Sequence, residues 1–286
     1  HSFPTRRSSD LLLWELTIIS RTVNKNAPIG FFDSGVGGLT VFSEFKKIMP
    51  EESCVYFGDT KNMPYGEKTK DELIDFSKKA FSFFETQKVK AVVMACNTTS
   101  ATVYESLKDN YSFKLYPIIQ SVTKIIAGLP VEKIGVFATP ATINSHAYAS
   151  GIHKYDVTKQ IVEIACPEWV RMVENKEENT HEAIEKIKSK LDEMLKYNPD
   201  KIILGCTHYP FLLNQLSAIC DESKFINPAV AFAQFIKEDL IARDMHTDFS
   251  GKGNDIFYAS AAIDKFIAAG SLFYDLSYSK VELIHL

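Results

Sequence analysis

A chain of 286 residues implies one large domain or two of about 100–150 residues each. With 45% hydrophobic and 24% charged residues, it can bury a substantial core without disulfides or a structural metal. A net charge of −4 gives no bulk reason to bind nucleic acid or an anionic membrane, and no apolar run reaches the roughly 18–20 residues of a membrane span.

The first stretch, HSFPTRRSSDLLLWELTIIS, sets two arginines before an apolar run, as a signal peptide does. Glu15 breaks that run, however, and no small-residue cleavage site follows. Residues 1–26 are therefore read as a non-native extension or a disordered leader, outside the fold.

From Pro28 onward, short apolar runs alternate with amphipathic stretches. Strands are expected at 29–32, 55–57, 91–94, 115–118, 134–137, 162–165, 202–204 and 225–226, short enough to be buried on both faces of a parallel sheet. Between them, Thr69 with Glu72 reads as a capping box opening a helix whose apolar face carries Leu73, Ala80, Phe81 and Phe84. Asn179 with Glu182 reads as a similar start before Ile184, Ile187, Leu191 and Met194. Alternation of this kind predicts an α/β fold with parallel sheets.

An internal repeat sharpens the picture. Ile29-Gly30-Phe31-Phe32-Asp33-Ser34 returns as Ile134-Gly135-Val136-Phe137-Ala138-Thr139, 105 positions later. Ala91–Thr98 is likewise echoed by the run from Ile202 to His208, with 110 positions between Cys96 and Cys206. Two matched motifs in one order predict two pseudo-symmetric α/β domains, with the active site in the cleft between their strand ends.

Chemistry concentrates in four blocks. Asp33-Ser34-Gly35-Val36-Gly37-Gly38 is a glycine-rich turn after a strand, suited to an anion or, alternatively, a tight turn capped by Asp33. It has neither the P-loop lysine nor dinucleotide-binding spacing, so no nucleotide is indicated. Asp59-Thr60-Lys61-Asn62-Met63-Pro64-Tyr65-Gly66 is turn chemistry on its own. Cys96-Asn97-Thr98-Thr99 and Cys206-Thr207-His208-Tyr209 each place a cysteine after an apolar strand, at the expected start of a helix. Such a position draws a thiol pKa down towards neutrality.

A single cysteine there is more often a small buried hydrophobe, but two at matching places in a repeat reverse that reading. Inverting a stereocentre by proton transfer needs a base on one face and an acid on the other. Asn97, Thr98, Thr207 and His208 supply donors for a carboxylate as charge develops, with Asp33 and His208 as assistants to their nearer thiols. The remaining cysteines, Cys54, Cys166 and Cys220, lie in no polar motif and read as core. Their odd total of five and the absence of any C-x-x-C argue against a disulfide framework or zinc ribbon and for a reducing cytoplasm.

Together, GFFDSGVGGLTV, YFGDTKNMPYGEKT, MACNTTSA, GVFATPATINSHAY, CPEWVRMVE and LGCTHYPFL closely resemble the glutamate racemases, within the cofactor-independent aspartate/glutamate racemase superfamily. The resemblance runs in order from about Ile29 to Leu212. It implies interconversion of L- and D-glutamate without cofactor or metal, supplying D-glutamate for peptidoglycan in the cytoplasm. By that likeness Cys96 and Cys206 are the catalytic pair, assisted by Asp33 and His208. Substrate contacts would fall to Asp33, Ser34, Pro64, Tyr65, Gly66, Asn97, Thr98, Thr142, Glu174, Thr207 and His208. The family's habit implies a homodimer, with no nucleic-acid or membrane partner.

Two departures stand out: Thr99 where a small residue is common, and Asn227-Pro228-Ala229 in place of a more acidic pattern. Neither touches a thiol. The rival enzymatic readings are an aspartate racemase and a one-cysteine decarboxylase; the rival of another class is a regulatory binding protein. The expected domains are 27–118 with 229–286, and 119–228.

Overall fold

Ten strands appear in the computed structural model, which describes residues 24–277 and 279–286. In chain order they are β1 (Ile29–Asp33), β2 (Cys54–Gly58), β3 (Ala91–Met94), β4 (Lys114–Pro117), β5 (Lys133–Ala138), β6 (Gln160–Ala165), β7 (Lys201–Gly205), β8 (Phe225–Ile226), β9 (Asp255–Ala259) and β10 (Lys280–Leu283). They form a six-stranded sheet in the order β10-β9-β2-β1-β3-β4 and a four-stranded sheet in the order β6-β5-β7-β8. Every pairing is parallel.

The repeat read from sequence is therefore a repeat of topology. The order β2-β1-β3-β4 returns as β6-β5-β7-β8, with β5 in the place of β1 and β7 in the place of β3. In both sheets the first strand of the unit is central, so consecutive loops leave on either side of it. Ligands bind α/β sheets at such a switch point, outside the carboxyl ends of the strands.

Burial on both faces explains the unbroken apolar runs. Along β1, Phe31 packs into one core and Phe32 into another; along β7, Ile203 and its neighbours Ile202 and Leu204 divide in the same way. The core holding Phe31 and Ile203 also takes in Ile134 and Val136 of β5 and Phe232 and Ile236 of the helix Pro228–Ala242, so it joins the two sheets. Outer cores built on Phe81 and Phe84, and on Trp169 and Leu191, close the far faces.

Thr69 and Glu72 make the expected reciprocal capping box at the start of the helix Lys70–Thr86. The second expected cap is corrected by one residue. Thr180, not Asn179, caps the helix His181–Leu195, accepting from the N–H of Ala183. Ile184 of that helix faces outward, while Ile187, Leu191 and Met194 are buried. Ile118 begins the helix Ile118–Ala127 instead of ending a strand, because Pro117 holds the extended backbone that precedes it. Strands β9 and β10 were not expected; only Phe257 and Ala259 of β9 are fully buried and no residue of β10 is, so their apolar signal is weak.

Residues 1–23 of the expected extension lie outside the described residues. Residues 24–26 are tied to the first sheet. The Lys25 carbonyl accepts from Lys90 Nζ at 2.5 Å, and Asn26 Oδ1 accepts from the Thr247 hydroxyl at 2.7 Å. Lys90 also pairs with Glu52 at 2.6 Å, their side chains 0% and 1% exposed, and Glu52 in turn accepts from the N–H of Thr247. Among the described residues no helix is long and apolar enough to cross a membrane.

That buried pair yields a stability prediction. Lys90→Met leaves the Glu52 carboxylate without its cation in a dry setting, and should cost about 3–5 kcal/mol. Urea unfolding of both proteins measures the loss; unchanged stability would show the pair to be replaceable by packing alone.

Candidate active site

Both thiols stand just beyond interior strands of their own sheets: Cys96 follows Met94 and Ala95 after β3, and Cys206 follows Gly205 at the end of β7. They border one small enclosed cavity of about 20 Å³. Ser34, Pro64, Tyr65, Gly66, Asn97, Thr98, Thr207 and His208 line it with them. A single water requires roughly 10–15 Å³, so the site is closed to anything of amino-acid size.

The remaining three expected residues stand directly behind this lining. Asp33 is fully buried and its Oδ1 accepts from the Thr207 hydroxyl at 3.4 Å. Thr142 lies 3.1 Å from Thr139 and 3.5 Å from Thr98, oxygen to oxygen. Glu174 holds His208 Nε2 at 2.6 Å. On its other side Glu174 borders an open cleft of about 510 Å³, shared with Val36, Met63 and Lys265.

The glycine-rich turn differs from its expected use. The N–H groups of Gly35 and Gly38 are directed at the Asp33 carboxylate, so the turn holds an anion of its own chain. Gly37 meets the other unit. A Cβ there would lie 2.4 Å from Thr207 Oγ1 and 2.7 Å from the His208 ring, closer than real contacts allow. The Pro64-Tyr65-Gly66 turn is anchored from below by Asp59, which accepts from the Tyr65 hydroxyl at 2.6 Å and from Ser260 at 2.7 Å.

Two lining residues were missed. Thr139, whose hydroxyl is 3.0 Å from that of Thr98, is the repeat counterpart of Ser34, and the aligned motifs carried that signal. Val170, on the helix Trp169–Glu174, is apolar and left no signal.

The electrostatics of the two thiols differ. Cys96 caps the helix Asn97–Thr102, yet burial, reinforced by the Asp33 carboxylate, pushes its thiol up to about 12. Desolvation thus outweighs the helix terminus, correcting the expected fall towards neutrality. Its Sγ lies 3.9 Å from Ser34 Oγ. Cys206 is followed not by an α-helix but by a turn and a 3-10 segment, Tyr209–Leu212. Its Sγ lies 3.9 Å from His208 Nδ1. Burial disfavours the His208 cation, but hydrogen bonds with Cys206 and Glu174, with their charges, override it and hold the imidazole well above its usual range. Asp33 is raised by burial, partly offset by His208 and by the N–H groups of Gly35 and Gly38.

Cys54 and Cys166 are buried and Cys220 is partly so, packed among apolar side chains. His146 is exposed and pairs with Glu163 at 2.6 Å.

Two parallel-sheet units, each bringing a cysteine from a matching strand end to one small shared cavity, define a duplicated α/β enzyme. Residues 40–236 match the Asp/Glu/Hydantoin racemase family. A glutamate racemase of Thermoanaerobacter sp. (strain X514) is 37% identical over 248 residues, 86% of this chain and 92% of that protein. Glutamate racemase structures from Francisella tularensis, solved with D-glutamate, and from Bacillus anthracis superpose with TM-scores of 0.85 and 0.86 at 31% and 30% identity. The first comparison covers 91% of this chain and 98% of the other, the second 92% and 99%. The chain belongs to the Asp/Glu/Hydantoin racemase family, and it is a racemase.

The Glu174–His208 contact is testable by titration. Glu174→Gln removes the charge that favours the imidazolium, so His208 should titrate at lower pH in the variant than in the wild type. NMR of protein carrying labelled histidine reads this directly. An unchanged His208 midpoint would show that Glu174 does not hold the proton.

Proposed function

We propose that this enzyme interconverts L- and D-glutamate by two-base proton transfer between Cys96 and Cys206. The observation that carries the reading is the placement of these two thiols at equivalent strand ends bordering one enclosed cavity. One cysteine, as thiolate, takes the α-proton; the electron pair stays on the substrate as a carboxylate-stabilised carbanion. The other, as thiol, returns a proton to the opposite face, and the two exchange roles with direction. No cofactor takes part.

The α-proton of an amino acid is weakly acidic, so donors must meet the charge that grows on the carboxylate. Ser34, Asn97, Thr98 and Thr207 fill that role, with Tyr65, Gly66 and Thr142 shaping the rest of the pocket. Asp33 and His208 serve Cys96 and Cys206 respectively, and Glu174 keeps His208 protonated. The substrate ammonium placed near Asp33 and Cys96 favours the thiolate there, countering the burial that holds this thiol protonated. Entry requires the two units to part, and closure then excludes water from the carbanion.

Two units move in this scheme, 27–118 with 229–286 and 119–228; the division of strands between two sheets supports these limits. Glutamate is favoured over aspartate by the names of the relatives described above, including the one solved with D-glutamate. The physiological setting is cytoplasmic supply of D-glutamate for peptidoglycan, by a homodimer.

Racemisation in deuterated water tests the mechanism. Each enantiomer of glutamate, without added cofactor, should give product carrying α-deuterium at early times while the remaining substrate stays unlabelled. Cys96→Ser and Cys206→Ser should each lower turnover by about 10²–10⁴-fold. Equal early labelling of substrate and product would replace two bases with one. Turnover of aspartate but not glutamate would keep the mechanism and change the substrate.

A further inference from the structure

Tyr148, on the helix Ala147–His153, is completely buried in the second unit, and its hydroxyl donates to Asn97 Oδ1 of the first unit at 2.7 Å. Asn97 directly follows Cys96, is 3% exposed and borders the cavity. The same tyrosine ring lies against the other thiol's strand. A Cβ at Gly205, the residue before Cys206, would come within 2.9 Å of Tyr148 Cε2. One side chain therefore touches the residue after the first thiol and the residue before the second.

We infer that Tyr148 is a positioning residue for the reaction: by occupying Asn97 Oδ1, its hydroxyl turns the Asn97 amide N–H groups towards the substrate carboxylate. An asparagine amide is planar, with an acceptor at one end and two donors at the other. Unheld, it presents either end to the cavity, and an oxygen facing a carboxylate is repulsive. Tyr148 removes that choice before substrate arrives. Burial, with the neighbouring Cys206, raises the phenol pKa, so the hydroxyl remains a donor through the working pH range. The bond also spans the two units, so it forms only in the closed arrangement and ties closure to a correctly turned amide.

This inference rests on the proposed racemisation and deepens it. Tyr148→Phe keeps the ring that packs on Gly205 and removes only the hydroxyl. With the acidic amino acid that the wild type turns over, KM should rise about tenfold or more in both directions, the scale of one hydrogen bond to a charged group. A merely structural role would not reproduce the second readout, a double-mutant cycle. If Tyr148 acts through Asn97, adding Tyr148→Phe to Asn97→Ala should cause no further loss in kcat/KM. Additive losses, or an unchanged KM in Tyr148→Phe, would overturn the inference.

Should Tyr148→Phe fail to fold, Asn97→Asp decides. It keeps an acceptor for the Tyr148 hydroxyl but offers no N–H and sets a negative charge beside the substrate carboxylate, so KM should rise by more than tenfold; a wild-type KM would sink the idea. Failure of the wild type on both glutamate and aspartate would instead bring down the proposed function, and this inference with it.

Discussion

Everything at the site depends on one constraint, that all strands within each sheet run in the same direction. A parallel sheet sends every strand-to-helix loop out of a single edge. Duplicating the β2-β1-β3-β4 order as β6-β5-β7-β8 gives two such edges, and setting them against each other brings Ser34 and Cys96 to the same cavity as Thr139 and Cys206. No long-range design of individual side chains is needed to bring two thiols to one cavity. The fold supplies the convergence, and the loops supply the chemistry. The glycines then set how near the edges come, since Gly37 lets Thr207 and His208 approach a backbone that any Cβ would hold away.

Closeness has an electrostatic consequence. With Asp33 and His208 buried among Asn97, Thr98 and Thr207, their charges are screened less than they would be in water. Burial lifts both the Asp33 carboxyl and the Cys96 thiol, while His208 gains a proton because Glu174 and Cys206 outweigh its own desolvation. A thiol pushed up to about 12 stays protonated at neutral pH, so little thiolate is present to act as a base. In an enclosed pocket, however, a bound cation acts with equal force in the other direction. In the proposed scheme, the burial that keeps this thiol protonated also lets a substrate ammonium favour the thiolate, which couples basicity to occupancy.

The parts of this arrangement visible in the sequence are those that repeat or recur at fixed spacing. Apolar runs marked eight strands, most clearly the interior ones buried on both faces, and the matched runs at Ile29 and Ile134 revealed the duplication. The strands β9 and β10 escaped because β10 is the outermost strand and β9, the next one in, mixes half-buried with buried residues, so neither carries an unbroken apolar run. At the site, polar residues beside the thiols were legible and Thr139 was legible in principle, as the partner of Ser34 in the repeat. Val170 and Tyr148 were not. Each reaches the cavity or its lining through packing between distant segments, which leaves no local signature. The thiol pKa was misjudged for a related reason. Helix position can be read locally, but the depth of burial that overrides it cannot.

The symmetry of the scaffold is deliberately incomplete in its side chains. Asp33 stands where its repeat counterpart is Ala138, and Asn97-Thr98 answers Thr207-His208, so one thiol has a carboxylate at its back and the other an imidazole. A fully symmetric site would suit a fully symmetric substrate. An amino acid is not one: its carboxylate, ammonium and side chain must occupy the same three places in both enantiomers while only the hydrogen changes sides. In the proposed two-base scheme, unequal neighbours fix those three groups, and equivalent thiols serve the fourth. Near-equal access to the two faces then follows from the duplicated backbone, and a single binding orientation follows from the side chains that broke the duplication.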